Sequence, residues 1–195
     1  MTQPNFLQVQ NALSACVTFV DANASLTSSP YYLPKIHAMA DRFEAATRDT
    51  DRVYSEWRVQ RGQRMRHYRN MRLTYDKVLA LADEHALDTV PNRRIIYTEE
   101  AALDALIGET VTWLTSQGEE WAWTAEYATT LTEMQSEAIR AAKESDAMFH
   151  RYSVIVKYRV AAYADAVALI REYAAEAKRD SKVGGGAETL VIDVL

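Results

Sequence analysis

The chain has 195 residues, 48% of them hydrophobic and 25% charged, with a formal net charge of -5 at pH 7. That balance excludes a disordered chain, and no apolar run approaches the roughly 18 residues of a membrane-spanning helix. Net acidity repels nucleic acid and anionic membrane, so only a local basic patch would bring either to this protein.

Residues 5–24 place Phe6, Val9, Leu13, Cys16 and Val20 on one face, which predicts a first amphipathic helix of about five turns. Leu13-Ser14-Ala15-Cys16 has the form of a lipoprotein cleavage box. A secretion signal needs a cationic start and an unbroken apolar stretch, whereas the first basic residue is Lys35, and Gln8, Gln10 and Asn11 interrupt the apolar positions. No signal peptide is expected, and the location follows as the cytoplasm or an assembled particle. Cys16 is the single cysteine, so no disulfide forms within the chain, and it is read as a core residue.

ANASLTSSP follows as a loop, and Pro30 and Pro34 bracket the next helix start, because proline fits a first turn and not an interior. From Leu33 to about Ala86 there is no further proline, save Pro34 at its start. Steps of three and four residues connect Ile36, Phe43, Thr50, Tyr54, Trp57, Arg61, Arg64, Tyr68, Met71, Tyr75 and Val78. This predicts a second helix of roughly 80 Å. Its seam is weak in the middle, where Thr47, Thr50, Arg61 and Arg64 are polar and Gly62 costs a helix interior about 1 kcal/mol relative to alanine.

Residues 88–97 form the connection, and Thr98 followed by Glu99 and Glu100 starts a third helix, with acids at the positive end of its dipole. Leu103, Ile107, Val111 and Leu114 are its apolar face, and Gly118 is expected to end it. Residues 119–181 then lack both proline and glycine and carry a seam through Leu131, Ala138, Ser145, Phe149, Tyr152, Ala166, Ile170 and Tyr173. They read as one helix of roughly 95 Å. After Lys182 the composition changes: Gly184, Gly185 and Gly186 read as a hinge, and AETLVIDVL as a β-strand.

The expected fold is therefore all-α, an elongated antiparallel helical hairpin or coiled-coil bundle of two long and two short helices with a short C-terminal β-strand. It divides into a helical domain over 1–182, a glycine hinge over 183–186 and a docking strand over 187–195. Charge favours the antiparallel pairing. Residues 52–72 hold seven arginines against Glu56, and residues 119–146 hold seven acids against Arg140 and Lys143.

Chemistry is searched for with little return. The carboxylate-bridged di-iron pattern needs Glu three residues before a histidine, and no histidine here has one. His37 with Asp41 and Asp146 with His150 are isolated i,i+4 pairs, read as solvated contacts. No Gly-x-Ser-x-Gly, Walker or dinucleotide motif occurs, and no cation lies in the helix of Cys16 to activate it. No catalytic residue, metal or cofactor is expected.

Three sets of residues carry the remaining expectations. Ile139, Met148, Ile155 and Val160 flank the fourth helix's seam with more apolar surface than one partner helix covers, which points to self-association as a homo-oligomer. Leu190, Val191, Ile192, Val194 and Leu195 make the tail a strand suited to docking on another protein subunit. Arg58, Arg61, Arg64, Arg66, Arg69 and Arg72 either pair with the acidic helix or hold a polyanion. Net acidity disfavours nucleic acid, and no helix joins a basic face to a large apolar one as membrane binding requires. The expected function is that of a non-enzymatic structural or connector subunit of a larger assembly, such as a virion, phage tail or secretion apparatus. The alternative is a regulatory binding module using residues 52–72 on nucleic acid or another polyanion.

Overall fold

A computed structural model describes residues 5–87, 90–91, 99–118 and 121–184. Among them the chain is all-α, with α1 (Phe6–Ala22), α2 (Ser29–Glu84), α3 (Glu100–Ser116) and α4 (Ala122–Gly184), the two long helices α2 and α4 packed antiparallel and the two short ones, α1 and α3, packed against them. No strand occurs among the described residues. The expected strand over 187–195 lies outside them, and α4 runs on to Gly184, past the expected start of the hinge at 183.

α1 begins with a capping box. The Gln8 backbone N–H donates to Asn5 Oδ1 at 2.9 Å, and the Asn5 N–H donates to Gln8 Oε1 at 2.6 Å, satisfying two donors that the first turn leaves without partners. α2 starts at Ser29, four residues earlier than the periodicity implies, and carries Pro34 inside it. Tertiary bonds hold that early turn: the Ser28 N–H donates to Asp180 Oδ2 at 2.9 Å, Ser29 Oγ to the Asn23 carbonyl at 2.7 Å, and the Tyr32 hydroxyl to Glu172 Oε1 at 2.7 Å. The bonds from Ser28 also hold the Asp180 carboxyl below its ordinary pKa.

Gly118, at φ +67, separates α3 from α4 in the left-handed conformation expected of a helix stop. Past the end of α2 at Glu84, Ala86 takes φ 53 without being glycine, and the Leu87 N–H donates back to the Ala82 carbonyl at 2.8 Å.

The chain forms two compact units, Met1–Tyr54 with Arg151–Leu195, and Ser55–His150. In the first, α1 packs Val9, Leu13, Cys16 and Val20 against Ile36 and Phe43 of α2 and Ala166, Ile170 and Tyr173 of α4. In the second, α3 packs Leu106, Ile107 and Leu114 against Met71, Tyr75 and Val78 of α2 and Leu131 and Ala138 of α4. Partners on α4 fall in number as α2 rises. Arg42 meets Asp165 at 2.8 Å and Tyr54 meets Tyr152 at 5.4 Å in the first unit. Trp57 meets Phe149 at 5.4 Å and His67 meets Glu137 at 3.5 Å in the second.

The predicted α2 seam shifts by one residue in its weak middle. Val53 is fully buried while Tyr54 is exposed, and Gln60 turns inward in place of the exposed Arg61. A strict seven-residue repeat drifts about 20° per heptad against a straight helix, so a face read from one end changes residue before the other is reached.

Candidate interaction surface on the arginine segment of α2

The cationic candidates all lie on α2 within the second unit, where the helix carries them round its circumference and gives each a different neighbour. Arg64, at a seam position, is half-buried. Its Nε donates to both carboxylate oxygens of Glu100 at 2.9 Å, and Nη1 donates to Asp146 Oδ1 at 2.7 Å. The bonds to Glu100, with those to Asp146, raise its already high pKa, against the lowering effect of burial. Arg72 Nε donates to Asp76 Oδ1 at 3.1 Å on its own helix, and its guanidinium stands 5.4 Å from the Tyr75 ring. Arg61 lies 5.6 Å from the Trp57 ring, and Arg58 is exposed.

Arg64 with Asp146 pairs the arginine block with the acidic block of α4, and the stronger partner of Arg64 is a residue of α3. One turn along, the Tyr68 hydroxyl donates to Asp104 Oδ2 at 2.9 Å, and Gln135 Nε2 of α4 donates to the Asp104 carbonyl at 2.7 Å. Burial raises the Asp104 carboxyl above its ordinary pKa, and burial with the Asp104 bond raises Tyr68.

Arg66 and Arg69 form no ion pair or hydrogen bond with a described residue, and both are exposed. They line a groove of about 850 Å³ between α2 and the start of α3, together with Met65, Leu73, Glu99 and Leu103. Gly62 lines it too, and a Cβ added there would meet nothing within 4 Å. Met65 is 61% exposed and Leu73 and Val59 are also exposed. Sequence reasoning named the arginines of this stripe and missed the apolar residues beside them. The signal was present: Val59, Gly62, Arg66, Arg69 and Leu73 recur at steps of three and four on a face away from the seam.

The expected self-association residues fall in both units. In the second, Ile139 is exposed and Met148 half-buried; in the first, Val160 is exposed and Ile155 half-buried. Phe149, assigned to the seam by periodicity, is instead 51% exposed, with its ring against Trp57, and Tyr158 is exposed as well. The tail residues Leu190, Val191, Ile192, Val194 and Leu195 lie outside the described residues.

Cys16 is fully buried among apolar side chains, and that burial pushes its thiol up to about 12, away from nucleophile chemistry. Among the described residues no group of three or more His, Cys, Asp or Glu side chains is placed to hold a metal ion, and no helix is long and apolar enough to cross a membrane.

No known protein family, curated protein or solved structure matches the chain.

Proposed function

We propose that the chain is a non-enzymatic structural or connector subunit of a larger multi-subunit assembly, associating with copies of itself through apolar side chains on its long helices. The observation that carries this is the set of large hydrophobic residues on the outside of both units. Val59, Met65, Leu73, Ile139 and Phe149 are exposed in the second, and Tyr158 and Val160 in the first. Single exposed apolar residues are ordinary, but groups on one helix are a feature of protein contact surfaces. The C-terminal segment 187–195, acidic and apolar, serves in this reading as the latch to the next subunit.

The test is the solution mass of the full chain by light scattering across a concentration series, beside a variant carrying Ile139→Lys and Val160→Lys. The full chain is expected as a defined oligomer and the variant as smaller species with an unchanged helical circular dichroism signal. A full chain that stays monomeric throughout the series overturns the proposal.

A further inference from the structure

The geometry points to the groove between α2 and the start of α3 as the receptor for the C-terminal segment of a second copy of this chain, an inference that rests on the assembly reading above. The groove combines two chemistries on one wall. Met65 and Leu73 of α2, with Leu103 of α3 opposite, supply apolar surface, and Arg66 and Arg69 stand among them. The neighbouring charges are already committed: Arg64 takes Glu100, and Asp76 takes Arg72. Glu99 is the remaining carboxylate among the described residues of the lining, so among them the uncommitted charge is two cations against one anion.

Its volume, about 850 Å³, falls in the range of about 300–1,000 Å³ in which pockets enclose a ligand or a short run of side chains. The C-terminal segment is complementary to it. Bound as an extended chain, whose side chains alternate between faces, the segment would set Glu188, Leu190, Ile192 and Val194 on one face, an acid followed by three apolar residues, and Asp193 as a second acid on the other. An occupant with carboxylates reaches Arg66 and Arg69, and its aliphatic side chains cover Met65, Leu73 and Leu103. Gly62 serves the same end, because its missing side chain leaves the groove open where any other residue would narrow it.

The occupant is assigned to a second copy because a contact of tail on one subunit with groove on the next is heterologous, and heterologous contacts propagate into rings or filaments as an assembly subunit requires. Charge of opposite sign on the two surfaces also fixes which end of one copy meets which face of the next.

The experiment uses the full chain in two charge-reversed forms, one with Arg66→Glu and Arg69→Glu, the other with Glu188→Arg and Asp193→Arg. Neither changes a residue that the described core depends on, and circular dichroism confirms the helix content of each. Each form alone is expected to fall to smaller species than the parent, because its groove and tail now carry like charge. An equimolar mixture is expected to recover the parent mass, since each groove then meets a tail of opposite sign. If the groove-reversed form keeps the parent mass, the inference is overturned while the assembly reading stands. If both forms dissociate and the mixture does not recover, the contact in trans is overturned. A parent chain that is itself monomeric removes the assembly reading first. Nucleic acid bound at low salt by the parent and lost in the groove-reversed form, with the mass of that form unchanged, gives the groove to a polyanion and overturns the tail as its occupant.

Discussion

Arg64 of α2 and Glu100 of α3 form the tie that sets α3 on the long helix: Nε reaches both carboxylate oxygens at 2.9 Å, and Nη2 closes a further bond to Oε2. Four residues on along each helix, Tyr68 meets Asp104 at 2.9 Å. The i,i+4 spacing of α2 is thus matched to the i,i+4 spacing of α3, so a shift of either helix by one residue would break both contacts. The tie lies beside the core formed by Met71, Leu106 and Ile107 and fixes the register that apolar contact alone leaves adjustable.

Arg64→Met is expected to cost about 2 kcal/mol, because it strands a half-buried carboxylate that had accepted charge-assisted bonds. A double-mutant cycle with Glu100→Gln, read by urea unfolding, should show coupling within the range of about 0.5–3 kcal/mol seen for contacting pairs. Asp146→Asn is expected to change stability by about 1 kcal/mol or less, since its carboxylate is 71% exposed. Equal effects of the Glu100 and Asp146 substitutions would place the tie elsewhere.

Asp104 gives the second unit a pH response of defined sign. Burial raises its carboxyl in the folded state, with the Tyr68 hydrogen bond opposing, so the folded protein holds this proton above the unfolded carboxyl pKa of about 3.9. Its contribution to stability is complete below that value and is lost as pH rises through the folded value. Asp104→Asn keeps an oxygen for Tyr68 and removes the titration. The unfolding midpoint of Asp104→Asn should therefore gain on the parent as pH is raised from about 4 towards neutrality. A constant difference across that interval would count against the burial of this charge.

Asp180 responds in the opposite direction. Its folded pKa is lowered by the bonds from Ser28, so the stability it lends to the start of α2 is present above the unfolded value and is lost as pH falls through the folded one. Asp180→Asn should flatten the acid limb of the unfolding profile. Amide exchange at the first turn of α2 should quicken in that variant even at neutral pH.

Two backbone positions trade stability in ways a substitution reveals. Gly62→Ala should raise stability by about 1 kcal/mol, because glycine is a poor helix former and the added methyl meets no neighbouring atom. Ala86→Gly should raise it by about 1 kcal/mol for a different reason, since Ala86 holds a left-handed φ of 53 that glycine takes without steric cost. Both are read as the denaturation midpoint at constant m-value. If the groove receives a tail, Gly62→Ala should also weaken self-association, which separates its effect from that of Ala86→Gly.

Helix positions and most of the buried faces were legible in the sequence because helical periodicity is local. Ile36 and Phe43, Met71, Tyr75 and Val78, Leu131 and Ala138, Ala166, Ile170 and Tyr173 all follow from the spacing of three and four, and all are buried. The stop at Gly118 follows from one residue's freedom at positive φ. The candidate groove was not legible. Its wall on α2 recurs at steps of three and four but mixes arginine and glycine with the apolar residues, so the period alone does not mark it as a contact face, and its opposite side comes from α3.

What the amino-acid order determined by itself was therefore the helices, the break at Gly118 and the residues offered to a core. Tertiary structure decided the rest: Val53 rather than Tyr54 faces inward, Glu100 rather than the acidic block of α4 is the main partner of Arg64, and Arg66 and Arg69 remain uncommitted beside a groove. The physical reason is phase. A helix of 3.6 residues per turn rotates its faces slowly against a seven-residue repeat, and which of two adjacent side chains turns inward is set by the neighbouring helix rather than by the chain that carries them.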